Sequence, residues 1–424
     1  MGGDVKILVI GSGGREHAIA KKFSESPRVE KVYCAPGNAG MKRDKIELVP
    51  ISELDNAALV DFARTQQIDL TFVGPETSLM NGIADAFAAA DLRIFAPTQA
   101  AAEIEGSKEF AKFLMKKWAV PTADYAVFED LQGALSYVRA QGAPIVVKAD
   151  GLAAGKGVTV ALDLEAAEAA LLAIFSEKNA KVVIEEYLEG EEFSLFSFVH
   201  EGRVWPMPIA QDHKRAFDGD KGANTGGMGA YSPVAQIPES AVSEALEKVV
   251  KPVVAGLMAE GRSFTGVLYA GLMLTADGVK TIEFNARFGD PETQVVLPRL
   301  TSDLAQAIMD ILDGREPELV WLGNESVTLG VVMASSGYPE SSTKGLILPE
   351  IPNDWQVYYA GVAENEAGQL VSNGGRVYLL AETALNVAQA QKLVYDKLDG
   401  LDNTGFFYRH DIGSKALRCE VRPF

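Results

Sequence analysis

The sequence predicts a multidomain chain of mixed α/β and α+β class. A doubly wound parallel-sheet domain comes first, a middle region carrying a small α+β unit follows, and a small, mainly β domain closes the chain. Three observations lead there. Over the first hundred residues continuous apolar runs alternate with helical patterns, as expected for strands covered on both faces of a parallel sheet. After Ala100 the order becomes strand, helix, strand, glycine-rich turn, strand, helix, strand. Beyond residue 318 short strands are punctuated by turn signals such as Ser336-Gly-Tyr-Pro and Asn373-Gly-Gly. The 424 residues leave room for two to four cores at roughly 100 to 200 residues each.

The run 5–10 is the first strand, Gly11-Ser-Gly-Gly-Arg-Glu-His the turn, and the segment from Ala18 the first helix. The run meets glycine at once, with neither a basic flank nor a cleavage-site pattern, and reads as a buried strand rather than a secretory signal. Strands are expected at 29–34, 46–50, 70–73 and 93–96, with helices at 56–65 and 79–90. A helix with the face Phe110, Phe113, Leu114 and Trp118 ends at Val120-Pro121, a subdomain boundary. The unit beyond it has strands at 126–128, 144–149, 158–162 and 181–185, helices at 131–140 and 164–175, and a glycine-rich turn at 151–157. Then come strands at 192–199, 266–274 and 279–284, a glycine-rich loop at 212–231, a long helix at 239–260, and helices at 293–300 and 304–312. Residues 313–318 read as a linker, and one helix is expected at 385–398.

Composition narrows the function. Lys+Arg number 39 against 58 Asp+Glu, a net charge of −19, which opposes an extended nucleic-acid contact. A few lysines and backbone amides can still make a local pocket for a phosphate. No window approaches the ~18 uninterrupted apolar residues of a membrane span. Two cysteines, Cys34 and Cys419, and four scattered histidines provide neither a disulfide framework nor a zinc pattern. A cytoplasmic setting and oxygen-ligated metals fit best.

The first turn approaches a dinucleotide fingerprint at Gly11 and Gly13, but the third glycine is replaced by Glu16 and the second strand ends without an acid, at Tyr33-Cys34-Ala35-Pro36. An NAD-dependent enzyme is therefore disfavoured. What remains is either a phosphate-binding turn at a helix N-terminus or a tight turn with no ligand. Pro36-Gly-Asn-Ala-Gly40 and Gly74-Pro-Glu76 follow predicted strands and belong to the same ligand-binding edge. The segment 146–158 is not a Walker A loop, because Gly151 and Gly155 are four apart and Lys156 precedes Gly157. Lys148 lies on an otherwise apolar strand, where its ammonium needs an anion, or a salt bridge with Asp150 or a glutamate. Acids alternate through 185–192 around an apolar pair. In the run 281–292, Glu283 and Asn285 share one strand face and offer two hard oxygen ligands of the kind a phosphate-bound Mg²⁺ accepts. Arg287 extends that face towards Gly289-Asp290-Pro291-Glu292.

Taken together, Gly11-Ser-Gly-Gly-Arg-Glu-His, Ala35-Pro-Gly-Asn-Ala-Gly, the segment 148–157, Gln211-Asp-His-Lys-Arg-Ala-Phe, Asn224-Thr-Gly-Gly-Met-Gly-Ala-Tyr and Phe284-Asn-Ala-Arg-Phe-Gly-Asp-Pro-Glu resemble, end to end, the phosphoribosylamine–glycine ligase family of the ATP-grasp superfamily. The resemblance implies an N-terminal pre-ATP-grasp domain at 1–103, an ATP-grasp domain at 104–120 and 191–325, its lid at 121–190, and a C-terminal domain at 326–424. It implies ATP between two antiparallel sheets, with Lys108 and Lys148 on its phosphates and Gly155, Lys156 and Gly157 folding over them. Glu185, Tyr187 and Leu188 would meet the adenine, Glu192 the ribose, and Glu283 and Asn285 the Mg²⁺ (or Mn²⁺). Phosphoribosylamine would lie near Gly13, Gly14, Arg15, Asn38, Gly40 and Glu76, and glycine near Arg287 and Asp290, under Asp212 and Lys214.

The implied reaction activates glycine as glycyl phosphate and hands it to the amine, giving glycinamide ribonucleotide, ADP and phosphate, a step of purine biosynthesis. Because acyl phosphates hydrolyse, the lid and the 212–231 loop are expected to close before chemistry. The implied partners are small molecules, with no nucleic acid or membrane, and the chain a monomer or weak dimer. The sequence departs from the family at Thr77-Ser78, where Ala-Pro is common, and at Ala223, where proline is usual. Neither change removes a charged group. The rival readings are another ATP-grasp carboxylate–amine ligase or carboxylase-type enzyme, and a nucleotide-binding regulator without catalysis.

Overall fold

The computed structural model of the chain describes residues 4–43, 45–151 and 157–420. Strands Val5–Gly11, Val29–Pro36, Ile46–Leu48, Leu70–Val73 and Ile94–Phe95 form a five-stranded parallel sheet with Val5–Gly11 at its centre. Ile7 to Ile10 are fully buried, which is why the run is apolar without alternation. Strand order reverses between Val5–Gly11 and Leu70–Val73, so the turns after these two strands meet at one carboxyl edge. The predicted helix at 79–90 is two helices, Glu76–Met80 and Ile83–Ala89, parted at Gly82, whose φ is +74°.

Strands Tyr125–Phe128, Val182–Glu186, Ile145–Ala149 and Val158–Ala161 make an antiparallel sheet backed by helices Leu131–Gln141 and Leu164–Ile174. This lid has a hydrophobic core of its own, built on Ala134, Val138, Val147, Leu171 and Ile184. A second antiparallel sheet joins Arg203–Pro206, Glu191–His200, Gly266–Thr275 and Gly278–Asn285 in that order. The long helix predicted at 239–260 is present as Glu239–Ala245 and Lys251–Ala259, joined by a π turn at Leu246–Val250. Pro252 accounts for the interruption, since its nitrogen has no hydrogen for an i→i−4 bond.

The glycine-rich segment 212–231 is not a free loop. Arg215–Phe217 pairs with Lys221–Asn224 as a hairpin, while Gln211–Asp212 and Gly229–Ser232 are strands of the C-terminal sheet. That sheet continues through Val327–Ser335, Arg376–Ala384 and Gln356–Tyr359, with Phe406–Phe407 paired to Val327–Ser335. The hairpin turn is pinned as well. Gly219 donates its N–H to Asp411 Oδ2 at 2.9 Å, and Arg409 Nη1 is 3.0 Å from Asp220 Oδ1. Closure of this segment as a flap is not what its pairing provides. The terminal domain carries helix Val387–Asp399, close to the predicted one, and a further helix, Ser414–Glu420.

One large core runs through Leu8, Leu268, Leu329 and Val394, so the parallel sheet, central sheet and C-terminal sheet pack as one body. Among the described residues no helix is long and apolar enough to cross a membrane.

Candidate active site

The lid strand Ile145–Ala149 delivers Lys148 against the second sheet, where its ammonium donates to the Ile282 carbonyl at 3.1 Å. Only 4% of this lysine is exposed. Its charge is met by Glu185 Oε1 at 2.8 Å, and the other oxygen of Glu185 takes Lys112 Nζ at 2.9 Å. Glu185 therefore bridges two buried lysines, and of the acids read as partners for Lys148 it is a glutamate, not Asp150, that pairs with it. Lys112, which the sequence reading missed, also donates to Thr122 Oγ1 at 2.7 Å. Burial pulls its ammonium down to about 8, against the pull of Glu185. The helix Lys108–Lys117 buries Ala111, Lys112, Leu114 and Met115, whereas Phe113 of the predicted face is half exposed. A lysine satisfied by two partners displaced an aromatic from the expected inward position. The clue was its i+4 spacing from Lys108.

Asp150 does not pair with Lys148. Its Oδ1 supports the start of helix Lys108–Lys117 by accepting the N–H groups of Lys108 at 2.6 Å and Glu109 at 3.3 Å, while Lys108 Nζ donates to the Gly151 carbonyl at 2.8 Å. Burial lowers the Lys108 ammonium, with Glu283 and Asp150 opposing. Of the glycine-rich turn, Gly155 and Lys156 lie outside the described residues. Gly157 immediately precedes the return strand Val158–Ala161, its carbonyl accepting the Ala149 N–H at 2.8 Å. Tyr187 and Leu188 are half-buried in the connection between lid strand Val182–Glu186 and Glu191–His200.

Glu283 and Asn285 lie at the end of strand Gly278–Asn285, where Glu283 acts on the charge of Lys108. Among the described residues the Glu283 carboxylate has no hydrogen-bond or ion-pair partner. A free carboxylate two positions from an amide oxygen fits a hard divalent cation. Glu192 does not stand free: Lys214 Nζ is 2.8 Å from its Oε2. Burial works against the Lys214 charge, but Glu192 and Asp212 outweigh it and hold the ammonium well above its usual range. Asp212 is pushed up by burial and by Glu192, despite Lys214. Glu292 is pushed up to about 7 by burial and then by Asp212. The Ser194 hydroxyl lies 3.2 Å from Glu292 Oε1 and 3.1 Å from the Tyr269 hydroxyl. Glu292 belonged to a motif recognised in the sequence, but Ser194 and Tyr269 stand among buried apolar residues of their strands and gave little local signal.

Arg287 continues the strand end into the gap between domains. Its Nε is 3.2 Å from Glu76 Oε2 and its Nη2 is 2.7 Å from Glu105 Oε1. Arg15 Nη1 lies 4.0 Å from the same Glu76 oxygen. Thus Glu76, Arg15 and Arg287 converge. The turn itself is occupied differently. Glu16 accepts the Gly13 N–H at 2.6 Å and meets Arg15 Nε at 2.5 Å, so the protein's own carboxylate stands at the helix N-terminus. A side chain at Gly74 would meet Glu16 Oε1 at 2.0 Å, which shows why glycine is required there. A dinucleotide phosphate on this turn would face that buried carboxylate.

Asp290 lies beside Gly13 and Gly14, 3.4 Å from the Arg15 N–H, and pairs with Arg376 Nη1 at 3.3 Å. Arg376 comes from the C-terminal sheet and also donates to the Gly226 carbonyl at 2.8 Å. Asn38 and Gly40 are held away from open space. Asn38 Nδ2 donates to the carbonyls of Ser12 at 2.7 Å and Tyr359 at 3.0 Å, and a Cβ on Gly40 would meet the Tyr359 ring at 2.2 Å. In the structure these two residues fasten the first domain to the C-terminal sheet, a task with no signature in a glycine-asparagine turn.

Three domain families match in sequence. The phosphoribosylglycinamide synthetase N domain matches residues 5–105, the ATP-grasp (A) domain 106–293, and the C domain 328–415. The chain belongs to the phosphoribosylglycinamide synthetase family. A phosphoribosylamine–glycine ligase of Lactococcus lactis is 69% identical over 413 residues, 97% of this chain and 100% of the relative. One from Streptococcus pneumoniae is 57% identical over 98% of this chain and 100% of its own length. A crystal structure of the ligase from Thermotoga maritima superposes with a TM-score of 0.84 at 33% identity, covering 96% of this chain and 100% of that one. A biotin carboxylase from Campylobacter jejuni shares the fold, with a TM-score of 0.72 at 15% identity over 99% of this chain and 95% of that one. This member of the synthetase family is an ATP-grasp ligase and uses ATP. The segment that the C-terminal sheet borrows, 211–232, falls within the stretch matched as the ATP-grasp domain.

Proposed function

We propose that this chain joins glycine to 5-phosphoribosylamine at the expense of ATP, through glycyl phosphate. The observation that carries the reading is the line Glu283, Asn285, Arg287, which runs from the lid lysines at one end to Arg15 and Glu76 at the other. A nucleotide, an acid and an amine can thus react along one cleft. The full-length likeness to phosphoribosylamine–glycine ligases supports the choice of substrates.

In this reading Lys108 and Lys148 meet the phosphates of ATP, with Gly155, Lys156 and Gly157 above them. Glu185, Tyr187 and Leu188 border the adenine and Glu192 the ribose. Glu192 then exchanges its Lys214 contact for ribose hydroxyls, and Lys148 shares its charge between Glu185 and phosphate. Glu283 and Asn285 hold Mg²⁺ or Mn²⁺, which when bound neutralises triphosphate charge and orients the transferring group. The glycine carboxylate attacks the γ-phosphoryl group while Arg287 offsets the charge on the acid. ADP leaves, and the phosphoribosylamine nitrogen attacks the acyl carbon, releasing phosphate. Asp212, Lys214 and Asp290 surround the glycine side. Gly13, Gly14, Arg15 and Glu76 receive the sugar phosphate side, where the Glu16 carboxylate directs an anion towards Arg15 rather than into the turn. Asn38 and Gly40 act by setting that turn against the C-terminal sheet.

The test is ADP and phosphate release from MgATP with glycine and freshly generated phosphoribosylamine, each omitted in turn, and with bicarbonate or alanine in place of glycine. Release that needs both glycine and the amine is expected. Release driven by bicarbonate would instead make the chain a carboxylase-type enzyme.

A further inference from the structure

One enclosed carboxylate has no place in the reaction just described. Glu105 is the penultimate residue of helix Gln99–Gly106, shortly before Ser107 and Lys108, and its side chain is 6% exposed. Both of its oxygens are committed to one short stretch of chain. Oε2 accepts the Ala286 N–H at 2.7 Å and Oε1 meets Arg287 Nη2 at 2.7 Å. The remaining guanidinium nitrogens go to Glu76, at 3.2 Å from Nε, and to the Phe288 carbonyl, at 3.1 Å from Nη1.

The two carboxylates on Arg287 are not equivalent. Glu76 has a side chain 27% exposed, stands on the ligand-binding edge of the parallel sheet, and is within reach of Arg15 as well. Glu105 is shut in and tied to a backbone amide. An enclosed carboxylate is costly to keep charged, and this one is compensated first by the Arg287 guanidinium and the Ala286 N–H, with Arg15 further off. An arginine flanked by two carboxylates carries no spare positive charge for a substrate. To receive an acid it must lose one partner and be held in place by the other.

We propose that Glu105 is the positioning residue of the acid site: it fixes the Arg287 guanidinium and the backbone at Ala286, and keeps them fixed when Glu76 yields to the substrate carboxylate. The inference rests on the glycine ligase reading. Glu105 touches neither substrate nor metal and acts through Arg287. A displacement of a positioned group by about 1 Å can lower a rate by about 10²-fold, so a loosened Arg287 should be visible in kinetics.

The experiment compares Glu105→Gln with the unaltered enzyme. Glutamine keeps the volume and an acceptor for the Ala286 N–H, but turns an amide NH₂ towards the guanidinium. Expected is a loss of about tenfold or more in kcat/KM for glycine, with KM for ATP within twofold. A change in glycine kcat/KM smaller than threefold overturns the proposal. So does a loss matched by an equal loss in ATP affinity, since that would be a general structural defect. If the glutamine variant does not fold, Glu105→Asp, which retains the charge with a shorter reach, is judged by the same ratio. Failure of the unaltered enzyme to release ADP in response to glycine would count against the ligase reading itself, and is read separately from the variant.

Discussion

A single buried residue, Glu185, holds together two elements that sequence separates widely. Its carboxylate takes Lys148 from the lid and Lys112 from the helix Lys108–Lys117, all three side chains being at most 5% exposed. Removing the shared partner of a buried charge pair costs about 3 to 5 kcal/mol, because an uncompensated charge is left behind. Glu185→Gln should therefore lower stability by about 3 kcal/mol, read as a shift in urea midpoint at constant m-value without nucleotide. An unshifted midpoint would mean that water reaches the lysines. Glu283 is the opposite kind of residue. Its carboxylate has no partner among the described residues, so Glu283→Gln should leave the urea midpoint within about 0.5 kcal/mol while abolishing ATP turnover. Normal turnover in that variant would refute the metal assignment.

At the scale of elements, the first helix, Gly14–Ser24, is fastened in its first turn by polar groups that its sequence advertises poorly. Glu16 closes its N-terminus, and His17 Nδ1 accepts the Tyr359 N–H at 2.8 Å from the C-terminal sheet. Burial, with Lys21 and Arg43 nearby, pulls the His17 imidazole down to about 3, and burial with Arg409 and Lys415 does the same to His213. Both are neutral in the folded protein. The unfolded chain binds protons on them below about 6.5, so between pH 6.5 and about 3 the unfolded state gains protons that the native state lacks. Stability then falls as pH falls, by up to about 1.4 kcal/mol per pH unit for each histidine, and the loss is absent above 6.5. Urea midpoints at pH 7.5 and pH 5 should show this. His17→Gln should reduce the slope by one histidine's share, and an identical slope would exclude His17 as a source.

Across the whole molecule, the parallel, central and C-terminal sheets share one core, while the lid keeps its own. A unit that packs internally and meets the rest mainly through polar contacts such as Lys148 to Ile282 can swing without breaking a hydrophobic interface. In the proposed reading, nucleotide binds between the two. Hydrogen exchange in strands Ile145–Ala149 and Val182–Glu186 should slow by about tenfold or more with MgATP, which is about 1.4 kcal/mol of added protection. Exchange in Val5–Gly11 should stay as it was. Equal slowing in both sheets would show that the lid does not move as a separate unit. The 211–232 segment should not join that motion, because its strands are paired in the C-terminal sheet.

The order of strands and helices, the parallel first domain and the motif residues of the cleft were legible in the chain itself, because periodicity, glycine placement and turn chemistry act over a few neighbours. The run Glu283, Asn285, Arg287 could be placed on one face by strand geometry alone, and Glu16 could be seen to break the dinucleotide pattern. Partnerships made across hundreds of residues could not be read this way. Glu105 on Arg287, Lys112 on Glu185, Asn38 and Gly40 on Tyr359, and the loan of 211–232 to the terminal sheet leave no local period. Each is decided by where the completed sheets bring a buried charge or an unpaired backbone group. Local patterns specified the elements and their chemistry, and only the assembled structure assigned each buried polar group its partner, since burial creates the need for a partner and packing alone supplies one.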